Sequence, residues 1–322
     1  MASTPANASD SSDIQVRFVT MEQQRRADPA DTQFDDQAQQ DQQRRADDPR
    51  YTEQGFRTRI GFWDGVAAEY DAYRPQPPAM LFDILTQLAR APRPQLVVDL
   101  GSGTGLSTLA WAERAEAVIG VEPNAAMRQQ AERRRGGQND ISTIAFREGI
   151  STATGLPHAC ADIVTASQAL HWMEPTATFA EVARILRPGG IFAAYDYDWP
   201  PTVRWQAEQA YKDFIDRYGA LTRERALDVN RRAWPKEGHL SRIRASGRFR
   251  YVKEITIASR EEGDAARFIG LALSYGPLQV LQAGQVTEDE LALEAFQATI
   301  NEAFGGETLP WYFSYRVKLG IL

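Results

Sequence analysis

The sequence has 322 residues, of which 43% are hydrophobic and 25% are charged, and its formal net charge is -7. This composition predicts a globular protein with one large domain or two small ones. The acidic balance disfavours a nucleic-acid partner, because binding to phosphates draws most of its strength from clustered lysine and arginine. The single cysteine, Cys160, excludes a disulfide within this sequence, and so few cysteines and histidines argue against a metal site.

The first 52 residues differ from the rest, because they are rich in Gln, Asp, Arg, Ala and Ser and poor in aromatic residues. The hexapeptide QQRRAD occurs twice, at 23–28 and 42–47. Such a segment cannot bury enough apolar surface to offset the entropy that it loses on ordering. We interpret residues 1–52 as a solvated, flexible polar arm. The alternative is an arm that packs on a partner subunit, as in a homodimer, or that covers the active site.

The sequence shows neither a sorting signal nor a membrane segment. It contains no apolar run of about 18 residues, which is the length that a membrane span needs. Its first residues lack the apolar core of a signal peptide. We therefore expect a cytoplasmic protein that does not contact a membrane.

Predicted helices and strands alternate between residues 79 and 195. The helices have apolar residues at helical spacing, and the strands are short β-branched runs. In chain order the pattern predicts helix 79–91, strand 95–100, helix 106–116, strand 117–121, helix 124–135, strand 162–167, helix 177–186 and strand 190–195. Alternation of this kind predicts an α/β fold with crossover connections and a parallel sheet.

The strand pattern disappears between residues 200 and 247, a helical stretch that is rich in aromatic residues. A strand at 250–258, two helical stretches and a final strand at 311–321 follow. We predict three units after the arm. They are a core over 53–199, a helical lid over 200–247 that contacts the substrate, and a segment over 248–322 that returns to the same sheet.

A glycine-rich loop, DLGSGTG at 99–105, connects the strand 95–100 to the next helix. Glycine lets a backbone turn tightly and approach a ligand without a Cβ in the way. A dinucleotide fingerprint would need a third glycine at the position of Leu106, and a phosphate loop would need Gly-Lys-Ser/Thr. The carboxylate of Asp99 would repel a pyrophosphate but could hold an ammonium group. The loop therefore favours a nucleoside that carries an amino acid.

Glu122 follows the strand 117–121. An acidic residue at the end of the second strand can accept hydrogen bonds from both ribose hydroxyls. Taken alone, Glu122 is equally well explained as a structural or an exposed acid. Its spacing from the glycine loop leads us to interpret it as the ribose ligand.

These residues resemble the class I S-adenosylmethionine (SAM)-dependent methyltransferases, and more narrowly the small-molecule group that includes trans-aconitate methyltransferase-like enzymes. The resemblance covers roughly residues 56–198. It is carried by FWDGVAAEYDAYRP at 62–75, VVDLGSGTGLST at 97–108, GVEPNAAM at 120–127, GLP at 155–157, ALHWM at 169–173 and ILRPGGIFAAY at 185–195. It implies a Rossmann-like, seven-stranded, doubly wound sheet and SAM as the cofactor.

The resemblance also implies the residues that bind the cofactor. The glycine loop would wrap the methionine part of SAM, with the candidates Asp99, Gly101, Ser102, Gly103, Thr104 and Gly105. Pro123 and Met127 would flank the adenine beside the ribose ligand Glu122. Gln168 and nearby main chain would hold the ammonium end. From the segment 62–75, the side chains that would approach are Tyr70, Tyr73 and Arg74.

The sequence departs from the family pattern at one place. An acidic residue near the adenine amine often precedes the Leu-Pro pair in the family, whereas residues 149–154 read GISTAT here. The adenine contact would then come from Ser151, Thr152 or the backbone of Ala153.

His171 is the candidate catalytic residue. It lies in the loop after the strand 162–167, at the edge where the carboxyl ends of parallel strands meet. Its ordinary pKa of about 6.5 suits a general base near neutral pH. The alternative is that His171 only orients the loop by hydrogen bonding.

The substrate candidates are Tyr73, Trp172, Asp196 and Trp205. Trp172 is also well explained as a packing residue, and Asp196, like Asp198, as an exposed acid. We interpret His158 and His239 as surface residues, because no motif surrounds them.

Methylation of O, N or C of a small metabolite, in specialised metabolism, is the leading hypothesis. A nucleic-acid methyltransferase would need a basic channel, which the charge balance does not supply. A non-catalytic SAM-binding assembly protein would lack a substrate pocket beside the sulfonium. A nicotinamide-dependent oxidoreductase is disfavoured by Leu106 in the glycine loop.

Overall fold

The computed structural model describes residues 73–137, 143–227 and 233–322, and within them seven strands form one sheet. The strands are β1 (Val97–Leu100), β2 (Val118–Val121), β3 (Ile144–Arg147), β4 (Ala161–Ser167), β5 (Leu186–Tyr197), β6 (Tyr251–Gly263) and β7 (Leu309–Ile321). Their order across the sheet is β3-β2-β1-β4-β5-β7-β6. Strands β1 to β5 pair in parallel, and β7 is antiparallel to both β5 and β6. The Rossmann-like, seven-stranded sheet is therefore confirmed.

The helices connect these strands and pack on the sheet. In chain order they are α1 (Ala79–Leu88), α2 (Leu106–Leu109), α3 (Ala125–Gly136), α4 (Pro175–Ile185), α5 (Trp205–Glu224), α6 (His239–Ala245), α7 (Ala265–Leu273), α8 (Pro277–Gln282), α9 (Glu288–Leu291) and α10 (Leu293–Phe304). Local sequence explains where several of them begin. The side chain of Asn124 accepts a hydrogen bond from the Met127 N–H, and Glu174 caps α4 ahead of Pro175.

The sheet separates two apolar clusters. Successive residues of a strand point to opposite faces, and so Val97 joins one cluster while Val98 joins the other, both fully buried. The first cluster takes residues from α1, α5, α7 and α10, and the second takes residues from α4 and α6. Central strands that are buried on both faces explain the run VVDL in β1.

Three details of the sheet were not predicted or differ from the sequence prediction. Strand β3 was not predicted, because it is a four-residue edge strand in which only Ile144 is buried. The parallel pairing predicted from the alternation over 79–195 is confirmed, whereas β7, whose direction was not predicted, enters antiparallel between β5 and β6. The helix predicted over 106–116 is only Leu106–Leu109, and turns follow it.

The helices outside the core come from two stretches of sequence. Phe214 of α5 stacks on Phe296 of α10, with ring centroids 4.4 Å apart. The helical layer thus combines part of the predicted lid with helices from the β6–β7 connection.

The division at residue 247 stays a prediction, and the predicted arm lies outside the described residues. In the described part of the chain, every helix is too short or too polar to span a membrane.

Candidate active site

The site lies where the strand order reverses. From β1 the chain moves outward through β2 and β3, and it then returns to place β4 on the other side of β1. Loops that follow two such neighbouring strands diverge and leave a crevice at their carboxyl ends, where open α/β sheets bind ligands. Here the loops are the glycine loop after β1 and the segment 168–173 after β4.

The glycine loop needs glycine for two different reasons. Gly101, Gly103 and Gly105 have φ of +64°, +54° and +82°, which side chains rarely adopt. A Cβ on Gly101 would lie 2.8 Å from Cβ of Ala169, and one on Gly105 would lie 2.7 Å from Phe146. A Cβ on Gly103 would meet no atom within 4 Å. Gly101 and Gly105 therefore pack against protein, whereas Gly103 borders open space.

Glu122 faces this open side of the loop. One oxygen of its carboxylate accepts the Gly103 N–H at 2.9 Å, and the other accepts the Asn124 N–H at 2.9 Å. Burial raises the pKa of Glu122, although these two hydrogen bonds and the charge of Arg128 act against the shift. Each carboxylate oxygen keeps a further lone pair for a ligand hydroxyl. The position predicted for a ribose ligand is thus joined directly to the loop.

The carboxylate of Asp99 lies beneath the loop and is fully buried. Its two oxygens accept hydrogen bonds from the hydroxyls of Thr108, at 2.7 Å, and Thr165, at 2.8 Å. Burial raises the pKa of Asp99 to about 6, and the hydroxyl donors limit the rise. In this conformation Asp99 ties the loop and α2 to β4. The predicted contact with the cofactor ammonium stays a prediction.

The other two polar residues of the loop are buried as well. The hydroxyl of Ser102 lies against Gly120 of β2, since a Cβ on that glycine would be 2.8 Å from it. Thr104 is 3% exposed. The buried hydroxyl of Ser102 finds no hydrogen-bond partner among the described residues, and the predicted contact of both residues with the methionine part of the cofactor stays a prediction.

The predicted adenine wall lies next to the end of β2. Met127 is buried, and a Cβ on Gly149 would lie 2.8 Å from Val121, which places residues 149–153 beside Glu122. The hydroxyl of Ser151 is within 2.9 Å of the Thr178 hydroxyl in α4. Ser151 therefore offers an adenine ring its main chain rather than its hydroxyl. The contacts of Pro123, Thr152 and Ala153 with adenine stay predictions.

A distant segment covers the loop after β4. The Trp234 N–H donates to the carbonyl of His171 at 2.7 Å. Two residues later, Nζ of Lys236 lies 2.8 Å from Oε1 of Gln168 and 2.7 Å from Oδ1 of Asp196. Lys236 thus brings together two residues that were predicted to act on different ligands.

Burial is the largest cause that places the pKa of His171 well below the usual 6.5, and the charges of Lys236 and Arg74 add to the effect. The low pKa favours the neutral imidazole near neutral pH. Nδ1 is buried and finds no hydrogen-bond partner among the described residues. A neutral imidazole with a free nitrogen can receive a proton, as a general base must.

Arg74 and three aromatic residues form the facing wall. The guanidinium lies 4.9 Å from the ring centroid of Trp199, and Trp199 packs on Tyr211 and Tyr275. Burial raises the pKa of the Tyr275 phenol, the charge of Arg74 opposes the rise and that of Glu237 adds to it. We call Trp199, Tyr211 and Tyr275 the aromatic wall. We call the region between this wall and His171 the acceptor cleft, because the charge of Arg74 acts on His171 and its guanidinium packs on Trp199.

The remaining site predictions have mixed outcomes. Tyr73 packs on α7, where a Cβ on Gly270 would lie 2.5 Å from its ring, and Trp172 lies beside His171 with ring centroids 4.8 Å apart. Arg74 donates to the Tyr197 hydroxyl and the Ser274 carbonyl, so it lies at the cleft with its terminal nitrogens engaged. Tyr70 lies outside the described residues.

One prediction is wrong, and the role of Trp205 stays a prediction. Trp205 is 73% exposed at the start of α5, whereas the buried face of that helix carries Tyr211, Phe214 and Tyr218. His239 is not a surface residue, because it is 1% exposed and its Nδ1 lies 3.0 Å from Arg242. His158 is exposed as predicted, and Asp198 pairs with Arg316 outside the cleft.

Trp199, Tyr275 and Lys236 are site residues that the sequence did not indicate. Trp199 follows β5 directly, so the end of that strand was a usable signal. Lys236 contacts Gln168, which lies 68 residues earlier in the sequence, and no local sequence pattern indicates such a contact.

SAM fits the residues of the crevice. Open space at Gly103 allows close approach of a ligand, and the carboxylate of Glu122 can accept ribose hydroxyls. Three buried polar atoms of the glycine loop and the segment 168–173 find no hydrogen-bond partner among the described residues, namely Oγ of Ser102, Nε2 of Gln168 and Nδ1 of His171. Buried polar atoms without partners are costly unless a ligand or water satisfies them.

Comparison with known proteins agrees with this geometry. Residues 98–194 match the family described as "Methyltransferase domain". With the sheet order and the crevice, this match defines a class I SAM-dependent methyltransferase domain, with SAM as its cofactor. The narrower trans-aconitate group is not confirmed.

Individual relatives share this domain. The chain is similar to "Probable S-adenosylmethionine-dependent methyltransferase CRG1" of Saccharomyces cerevisiae, with 30% identity over 47% of this chain and 55% of that protein. It is 28% identical to "Erythromycin 3''-O-methyltransferase" of Saccharopolyspora erythraea over 47% of this chain and 49% of the relative. The chain thus spans about half the length of these curated relatives. A solved structure, "Putative Type II Methyltransferase from Anaeromyxobacter dehalogenans", superposes with TM-score 0.56 and 26% identity over 78% of this chain and 98% of that one.

Proposed function

We propose that this protein transfers the methyl group of SAM to O, N or C of a small organic metabolite. The observation that carries the proposal is the grouping of His171 with Arg74 and the aromatic wall. On one side of the cleft lies the neutral imidazole of His171, and on the other lie Arg74 and the aromatic wall. Apolar aromatic walls with a few convergent polar groups are typical of small-molecule sites.

The residues of the chain do the work of positioning. SAM, when bound, supplies an electrophilic methyl group on a sulfonium. Glu122 and the main chain at Gly103 orient the nucleoside, and the aromatic wall excludes water from the acceptor. Placing an acceptor atom in line behind the methyl group is a large part of the catalysis of such a transfer. His171 accepts the proton that an O–H or N–H acceptor loses.

The charge and the relatives favour a small organic acceptor. The formal net charge of -7 gives no general attraction to nucleic acid. One relative carries erythromycin, a small molecule, in its name. We also propose a cytoplasmic enzyme without a nucleic-acid or membrane partner, and a homodimer as its assembly.

The first test is SAM binding followed by an acceptor screen. SAM at 100 times its Kd should stabilise the full chain by about 2.7 kcal/mol in thermal or urea unfolding. Release of S-adenosylhomocysteine is then measured with pools of phenols, amines and carboxylic acids, and with transfer RNA as a separate arm. Turnover with transfer RNA alone contradicts the small-molecule assignment, and absence of any stabilisation by SAM contradicts the whole proposal.

A further inference from the structure

A contact from a distant segment fixes the side-chain amide of Gln168. Nζ of Lys236 lies 2.8 Å from Oε1 of Gln168 and also pairs with Asp196. An ammonium group can only donate, so the amide atom that faces it is the carbonyl oxygen. The amide therefore turns its nitrogen, Nε2, away from Lys236.

Nε2 is then a hydrogen-bond donor that faces away from Lys236 and needs an acceptor. It is buried and finds no hydrogen-bond partner among the described residues. Buried donors in native proteins are nearly always paired, which points to a ligand atom at this position. The backbone also holds the residue in place. Gln168 has φ of +50°, and its N–H donates to the carbonyl of Tyr195 at 2.9 Å.

Gln168 lies on the cofactor side of the crevice. The next residue, Ala169, is the one that a Cβ on Gly101 would touch at 2.8 Å. Gln168 therefore directly precedes the residue that packs on the glycine loop, where the family resemblance places the methionine part of SAM. That part carries one ammonium and one carboxylate, and only the carboxylate accepts hydrogen bonds.

Arg74 is the other donor near this place, and its terminal nitrogens have other acceptors. NH1 donates to the Tyr197 hydroxyl at 3.1 Å, and NH2 donates to the Ser274 carbonyl at 2.8 Å. The same guanidinium also lies over the ring of Trp199. These contacts engage two of the five guanidinium N–H groups, so Arg74 can donate to the carboxylate together with the amide of Gln168.

We propose that Lys236 is a positioning residue that locks Gln168 so that Nε2 donates a hydrogen bond to the carboxylate of SAM. The inference rests on the proposed function and assigns a residue that holds the amino-acid tail. It gives the Gln168 side chain a different partner from the ammonium that the family resemblance implies, because Lys236 already occupies the amide oxygen. The ammonium is left to main-chain carbonyls.

The experiment compares SAM with decarboxylated SAM, which keeps the adenosine, the sulfonium and the amine but lacks the carboxylate. Calorimetric titration of the full chain gives both Kd values. The wild type should bind SAM about tenfold to hundredfold more tightly, as expected for one hydrogen bond to a charged group. Gln168→Leu should bring the ratio close to one, and Lys236→Met should lower it at least about threefold.

Two further variants separate positioning from general stability. Lys236→Arg keeps a cationic donor and should restore most of the ratio. Gln168→Glu replaces the donor by a second carboxylate and should invert the preference. Lys212→Met serves as the matched control, because Lys212 is an exposed lysine of α5 that pairs only with Asp216 among the described residues. It should keep the wild-type ratio.

The outcomes distinguish the inference from the proposed function. A wild type that binds both ligands equally well overturns the inference while SAM binding stands. The inference also fails if Gln168→Leu weakens both ligands by the same factor, since the amide is then merely structural. A wild type that binds neither ligand removes the proposed function itself.

Discussion

The two sides of the crevice differ in the sequence separation between the residues that contact each other. On the cofactor side, Glu122 meets Gly103 across 19 residues, and Asp99 meets Thr108 across 9. On the acceptor side, Arg74 reaches Tyr197 across 123 residues and Ser274 across 200. The loop with Glu122 is therefore a local structure that a short motif can specify, although two other contacts of the cofactor side, Asp99 with Thr165 and Gln168 with Lys236, span 66 and 68 residues. The residues of the acceptor side are far apart in the sequence, so they come together only when the helices have packed.

The largest effect is expected from a substitution that removes packing within the helical layer, on which the acceptor side depends. Phe214→Ala deletes one ring of the Phe214–Phe296 stack that joins α5 to α10. Loss of a buried phenylalanine should lower the free energy of unfolding by about 3–5 kcal/mol. Urea unfolding of the full chain measures it.

The control for this variant lies on the same helix. Trp205→Ala removes a larger ring that is 73% exposed, and it should change the free energy of unfolding by less than about 0.5 kcal/mol. A large cost for Trp205→Ala would mean that the exposed ring has a partner. A small cost for Phe214→Ala would mean that the acceptor side does not depend on this stack.

On the cofactor side, the contribution of Asp99 to the free energy of unfolding should depend on pH. Burial raises its pKa from 3.8 to about 6, so the folded state binds a proton that the unfolded state releases. The stability from this group is present below pH 4 and is lost as the pH rises through 6. Asp99→Asn mimics the protonated form and should gain about 3 kcal/mol relative to wild type between pH 4 and pH 8.

Urea unfolding at several pH values measures this difference. Asp216→Asn, at an exposed site, is the control and should show no comparable trend. A constant difference between Asp99→Asn and wild type across the range would mean that the buried carboxylate stays charged throughout. The loop would then be held by an ionised acid.

These two regions also differ in how much of them the sequence could predict. Strand β1, the glycine loop and Glu122 follow from residue types and spacings within one βαβ unit. Even there, the sequence showed the carboxylate of Asp99 but not the two threonines that enclose it, because Thr165 comes from another strand.

The acceptor side was predicted less well for a physical reason. A tryptophan at helical spacing can lie on either face, and only tertiary packing decides that Trp205 is exposed while Tyr211 is buried. The burial of His239 and the contact of Lys236 with Gln168 likewise depend on where α6 and its preceding turn lie. Apolar periodicity indicates a helix but not its neighbours.

Within the cofactor side, Gly103→Val should separate ligand binding from folding. A Cβ at Gly103 meets no protein atom within 4 Å, so the new side chain enters the space that SAM would occupy. We expect SAM affinity to fall at least about a hundredfold, which corresponds to about 2.7 kcal/mol. Calorimetric titration measures the affinity, and urea unfolding measures the backbone cost.

Gly305→Val is the matched control. Gly305 has φ of +60° and equally open surroundings, but it ends α10 away from the crevice. The two variants should lose similar stability, since both force a β-branched residue into the left-handed region. Unchanged SAM affinity in Gly103→Val would remove the glycine loop from the cofactor site.

The smallest expected effect is a change in the pKa of His171, which lies where the two sides of the crevice meet. Burial and the charges of Lys236 and Arg74 hold its pKa well below 6.5, so the imidazole should remain neutral from pH 6 to pH 8. Heteronuclear NMR of the ring, assigned with His171→Gln, follows its protonation. Lys236→Met removes one of the two charges and should raise the pKa. A ring that titrates near pH 6.5 in the wild type, or that does not respond to Lys236→Met, would mean that the segment carrying Lys236 does not close over His171 in solution, and the acceptor cleft would then lack one of its walls.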